Sequence, residues 1–171
     1  MSLAILSLVS PMMMALSDFN EPLKLANVFL FEPPSCEHQV IFPHQPQNVG
    51  VLRNDETTYS AQLKMPDSFL RADCSRIGIP ESLTREDYLK DLMLNQIQQL
   101  GGSKVMILEY DISDKKASYS GQVILGTTSI MVNGAFYLGE HSLLSLTAID
   151  KYKTQSSPVS NRFLASATHF H

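Results

Sequence analysis

The sequence predicts an α+β fold: a twisted antiparallel β-sheet with one long helix and a short C-terminal helix packed on it. Three observations lead there. Four strand-like runs, Lys104 to Ile112, Ala117 to Leu125, Thr127 to Leu138 and Ser142 to Ile149, are divided by turn signals about every 10 residues, the rhythm of an antiparallel meander. A single stripe of Leu89, Leu92, Met93, Gln96, Ile97 and Leu100 recurs at helical spacing, broken only by Gln96. The chain has 171 residues, enough for one domain with a terminal extension and a core that needs no metal or staple.

The elements follow in order. Met1 to Ser17 carries no charge and runs Leu3-Ala4-Ile5-Leu6, Leu8-Val9 and Met12-Met13-Met14-Ala15-Leu16. Such runs are too short to span a bilayer as a helix, which needs about 20 residues. They match the apolar region of a secretory signal, with small residues Ala15 and Ser17 before a cleavage point ahead of Asp18. No Lys or Arg precedes the run, which departs from that pattern, and an apolar strand or helix packed on the core is the competing reading. Residues 18–35 read as an extension holding Pro22, Pro33 and Pro34, with Val28-Phe29-Leu30-Phe31 as a short edge strand. The domain proper is placed at residues 36–171.

Glu37 to Phe42 reads as a strand ended by Pro43, and Pro43-His44-Gln45-Pro46 cannot continue a ladder because proline lacks the donor. Asn54-Asp55-Glu56 is a polar turn. Thr57 to Met65 and Phe69 to Ile77 alternate as hairpin partners around Pro66-Asp67. Thr84 is suited to cap the long helix, with Asp87 three residues on as in a capping box and Glu86 beside it at the positive end of the dipole. Gly101-Gly102 supplies its stop. Within the meander, Asn133-Gly134 is a hairpin signal, so the third run can also be read as two shorter strands. Ser157-Pro158 starts a short helix to about Ser166, and Thr168-His169-Phe170 closes the chain as a stub of strand.

Composition narrows the function classes. Charged residues are 18% and the net charge is −4. Basic residues are scattered, there is no Trp, and no basic stripe of the kind nucleic acid requires is present, so no nucleic-acid partner is expected. No G-x-S-x-G occurs. Gly101-Gly102-Ser103-Lys104 follows a helix and precedes a strand, the reverse of a phosphate cradle. The histidines at 38, 44, 141, 169 and 171 form no H-E-x-x-H, and no C-x-x-C is present. His38 and His44 are expected at the surface, and His169 with His171 as solvated terminal residues. Glu86, Asp87 and Asp91 serve the helix dipole. Asp111 and Asp114 frame a turn, and no carboxylate is placed inside an apolar run where a raised pKa would follow. No catalytic, cofactor or metal residues are therefore assigned, and no cofactor is expected.

The order of elements resembles the PsbP-like fold family, which includes the photosystem II extrinsic protein, the small Ran-binding nuclear import factor and many small bacterial proteins. The matching pieces are Val40-Ile41-Phe42-Pro43 with Pro46, a hairpin through Tyr59 and Cys74, the helix ending in Gly101-Gly102, the meander with a strand pair split by Gly139-Glu140, and the closing Arg162-Phe163-Leu164-Ala165-Ser166 helix. The resemblance spans about Cys36 to Phe170. It implies a twisted antiparallel sheet with helices packed on it and little about function, because fold does not fix function; family members are mostly accessory binding proteins rather than enzymes.

Cys36 and Cys74 are the two cysteines. In an exported chain an even count suggests a disulfide, and the resembling fold puts their strands in one sheet. The alternative is a buried apolar Cys74 whose Cβ points away, in phase with Leu70 and Ala72. Three functions follow as expectations. The first is a non-enzymatic accessory or binding protein, exported to the cell envelope or periplasm, whose partner is another protein. The second is a cytoplasmic adaptor or chaperone, with residues 1–17 structural. The third is an enzyme with a site assembled from scattered residues.

Overall fold

The computed structural model describes residues 28–53, 57–100, 104–151 and 155–170. The signal-like run Met1 to Ser17, most of the 18–35 extension, the turn at Asn54-Asp55-Glu56, the helix stop at Gly101-Gly102 and His171 lie outside the described residues.

The fold is α+β with antiparallel pairing. In chain order the described elements are β1 (Phe29–Phe31), β2 (His38–Phe42), β3 (Asn48–Arg53), β4 (Thr57–Lys64), β5 (Ser68–Arg76), α1 (Arg85–Gln99), β6 (Lys104–Ile112), β7 (Lys116–Leu125), β8 (Thr128–Leu138), β9 (Ser142–Lys151), α2 (Pro158–Ala165) and β10 (Thr168–His169). The described strands make a seven-stranded sheet, β3-β4-β5-β9-β8-β7-β6, and a three-stranded sheet, β1-β2-β10.

Alternation assigns the two faces of the large sheet. In β5, Ser68, Leu70, Ala72 and Cys74 are buried while Phe69, Arg71, Asp73 and Ser75 are half-buried. Leu70, Ala72 and Cys74 share a cluster with Leu144, Leu146, Ala148 and Ala135, on which Phe31, Val40, Phe42 and Phe163 pack from the small sheet and α2. The rings of Phe42 and Phe163 lie 4.8 Å apart. On the opposite face, Leu89 and Met93 of α1 pack against Ala117, Tyr119, Val123, Val132, Phe136, Leu138 and Leu143. The remaining stripe residues Leu92, Ile97 and Leu100 are half-buried around that cluster.

Local chemistry accounts for the ends. The Thr84 hydroxyl accepts from the Asp87 N–H at 3.1 Å and donates to the Asp87 carboxylate at 2.6 Å. That differs from a capping box, in which the acid reaches back to the cap N–H. Ser157 caps α2 by accepting from the Ser160 N–H, with Pro158 in the first turn. The β7–β8 hairpin turns at Gly126-Thr127, and Gly126 has φ 63°, a region open to glycine without penalty.

Two expectations need correction, and one open choice is decided. A strand at 48–53 was not expected, yet β3 pairs with β4 along its whole length as an edge strand. Of the two readings of Asn133-Gly134, the single strand holds and the turn does not: β8 runs unbroken through it and pairs on both sides. The reason is packing, because a Cβ at position 134 would collide with the Tyr119 ring lying across it. His38 is not at the surface: it is buried between the Tyr137 and His169 rings, with centroids 5.9 and 5.0 Å away.

Candidate functional site

The two covers are offset along the sheet. α2 packs on β9, β5 and β8, while α1 packs on β7, β6 and β8. On the α2 side, β7 and β6 therefore extend past the cover, and their residues there, Lys116, Ser118, Ser120 and Gln122, are polar. A cleft of about 310 Å³ opens at this step. Asn161, Leu164 and Ala165 of α2 form one wall, Glu109 and Asp111 of β6 the other, and Ser118, Ser120, Asn133, Ala135 and Tyr137 the floor.

Strand register orders the charges. Lys116 pairs with Tyr137 at one end, Asp111 with Ser118 in the middle, and Glu109 with Ser120 at the other end. The Lys116 ammonium sits 5.4 Å from the centre of the Tyr137 ring. Tyr137 is fixed by donating its hydroxyl to the Leu164 carbonyl at 2.8 Å, and burial raises its pKa, so it remains a donor. Among the described residues the only ion pair joins Arg71 to Asp73, so Lys116, Asp111 and Glu109 neutralise none of one another. Asn133 is 4% exposed. Its Oδ1 accepts from the Ser156 hydroxyl at 3.0 Å, while its Nδ2 has no partner among the described residues. A buried donor left unmade costs about 1–3 kcal/mol, so this atom points to a missing acceptor.

The outer wall of the cleft is also the edge of the large sheet. Met106, Ile107, Leu108 and Tyr110 of β6 are exposed, Tyr110 by 66%. A register shift between Ile107 and Glu109 marks a bulge at Leu108.

The other polar groups lock the covers in place. The Glu37 carboxylate accepts from the N–H groups of Glu140, His141 and Ser142, each at 2.9 Å, and from the Ser142 hydroxyl at 2.8 Å. Partial burial pushes this carboxyl up, but those hydrogen bonds outweigh it and hold the pKa at about 2. Asp150 is fully buried. It accepts from the Ser68 hydroxyl at 2.6 Å, the Ser157 N–H at 2.9 Å and the Ser160 hydroxyl at 2.9 Å. Burial raises its pKa and the hydrogen bonds more than reverse that, so it stays ionised. On the α1 face, Tyr119 donates to Gln96 and Gln96 donates to Thr147, both at 3.0 Å. Gln96, the one interruption of the helix stripe, is thus placed for a polar partner inside the sheet.

Cys36 and Cys74 are joined by a disulfide with Cα atoms 6.2 Å apart, tying the segment before β2 to β5. His44 and His141 are exposed and separate from the cleft, and His169 is exposed beside His38. Glu86, Asp87 and Asp91 lie exposed along α1. No group of three or more His, Cys, Asp or Glu stands within metal-binding reach among the described residues. None of their helices is long and apolar enough to cross a membrane.

Sequence reasoning missed Asn133, Asp150 and Glu37. Asp150 has a usable signal: it continues the phase of Leu144, Leu146 and Ala148, and the strand runs to Lys151, two residues past the expected end at Ile149. Asn133 sits in a dipeptide that is ambiguous between strand and turn, and nothing in its neighbours marks it as buried. Glu37 had no local signal, because its partners are 103 to 105 residues away. No family model matches the chain, and no curated protein matches it.

Proposed function

We propose that the protein is a non-enzymatic accessory protein of the PsbP-like fold family, exported to the cell envelope, that works by binding another protein along β6. In this reading the long helix and the short C-terminal helix brace opposite faces of the sheet and leave one edge for the partner. The observation that carries it is the exposed apolar row Met106, Ile107, Leu108 and Tyr110 on that edge strand. An extended segment of a partner adds to such an edge by backbone pairing and sets alternate side chains into neighbouring pockets. The bulge at Leu108 and the charges of Glu109 and Asp111 discourage open-ended pairing between copies. Export is supported by the uncharged apolar run at residues 3–16 and by the Cys36–Cys74 disulfide, a bond that persists in oxidising compartments.

The test is site-specific photo-crosslinking in the native host. A crosslinker at Leu108 or Tyr110 should capture one protein species, and one at Val49, equally exposed on the far edge strand β3, should not. Equal capture from both edges, or capture from neither, would reject docking at β6. An uncleaved Met1 in the native protein would reject export.

A further inference from the structure

The cleft beside β6 carries an inference independent of protein docking. Its charges form no ion pair with one another: Lys116 and Glu109 stand at opposite ends, with Asp111 between them. Lys116 and Ser120, the β7 partner of Glu109, are four positions apart on one strand, about 13 Å at roughly 3.3 Å per residue. At the Ser120 end, directly across β7 from Glu109, lies the buried Asn133 Nδ2, without an acceptor among the described residues. The volume, about 310 Å³, suits a small ligand.

Each simpler ligand leaves something unmatched. An anion would face Glu109 and Asp111. A cation would leave Lys116 idle and meet its repulsion. An apolar molecule would strand the amide of Asn133 and the hydroxyls of Ser118 and Ser120. What fits is a molecule with an ammonium at one end, a carboxylate at the other and a carbonyl oxygen next to the ammonium, level with Asn133. An extended tripeptide spans about 10 Å, which the reach of the Lys and Glu side chains completes.

We infer that this cleft binds a short zwitterionic peptide, its free ammonium end between Glu109 and Asp111, its carboxylate end at Lys116, and a carbonyl oxygen accepting from Asn133. Backbone atoms and chain ends make these contacts, so the site reads the length and the ends of the peptide rather than its side chains.

Calorimetric titration of the full chain with trialanine tests it, against N-acetyl-trialanine, trialanine amide and free alanine. Trialanine should bind saturably, with Kd near or below about 1 mM. Acetylation and amidation should each weaken binding about two- to fivefold, the loss expected when one exposed charged pair is removed. The two blocks should map to different residues. In E109Q/D111N the acetylated and free peptides should bind alike, and in K116M the amide and free peptides should bind alike. These side chains are exposed, and unchanged circular dichroism confirms that the variants fold. Equal binding of blocked and free peptides, alanine binding as well as trialanine, or no saturation by about 20 mM would each overturn the assignment. None of these outcomes bears on crosslinking at Leu108, so the two readings stand or fall separately.

Discussion

The two faces of the large sheet are held by different means. On one face a helix lays a local apolar stripe over β6 to β8, and Leu89 and Met93 do most of the burying. On the other, a small sheet and a short helix are drawn together from both ends of the domain. Long-range ties secure them: Glu37 to the Gly139-Glu140 turn, Asp150 to Ser68 and α2, and Cys36 to Cys74. The first face depends on hydrophobic area contributed by consecutive turns of one segment. The second depends on a few polar and covalent links between segments far apart in sequence. A helical face with good periodicity needs few fixing points, whereas short strands such as β1 and β10 have too little area of their own and need them.

The largest test of that contrast is the disulfide. Replacing both cysteines with Ser should cost about 4 kcal/mol in urea denaturation, from the loop of 38 residues' separation that the bond closes. Hydrogen exchange should quicken in β1, β2 and β10 and remain slow in α1. Uniform quickening would show that the faces are not independently secured. Next comes the helix. Leu89→Ala should cost about 3 kcal/mol, and Leu92→Ala or Ile97→Ala visibly less, because Leu89 is fully buried and the other two are not. Equal losses at all three would mean the stripe is seated differently.

The smallest effect is in acid. Glu37 has a folded pKa of about 2 against an ordinary value of 4.5. Its contribution is therefore complete above pH 4.5 and lost as pH falls from there towards 2. His38 is shifted the other way for a base: burial, then the neighbouring His169, lower its pKa below 6.5. The unfolded chain then takes up the proton first, so stability is full above pH 6.5 and declines as pH falls below it. Melting temperature against pH should show both declines, and E37Q should flatten only the lower one. An E37Q curve parallel to wild type below pH 4.5 would remove Glu37 from its role as a tie.

This contrast also explains what the sequence made legible. The helix, its Thr84 cap, the meander strands and the Ser157-Pro158 start of α2 rest on neighbours a few residues apart, and periodicity reveals them. The pairing of β3 with β4 was hidden because Asn48 to Arg53 has weak alternation and a glycine. Gly134 misled for a physical reason: the same residue that permits a turn also permits a ring to lie flat on a strand. The cleft was invisible because it arises where one cover stops, a property of the assembled layers rather than of any segment. Asn133, Glu109 and Lys116 meet there only through register across three strands.

Strand order has a consequence in time. β3 to β5 and β6 to β8 are each built from successive hairpins, but they touch only through β9, which lies between β5 and β8. Ser68 and its hydrogen-bond partner Asp150 are 82 residues apart. A nascent chain thus holds two half-sheets, each with an open edge, until its last long strand is made and slots between them. Closing so many distant pairings at once is slow, and open edges invite wrong partners while they wait. The two halves of the large sheet become one sheet only when β9 pairs with both.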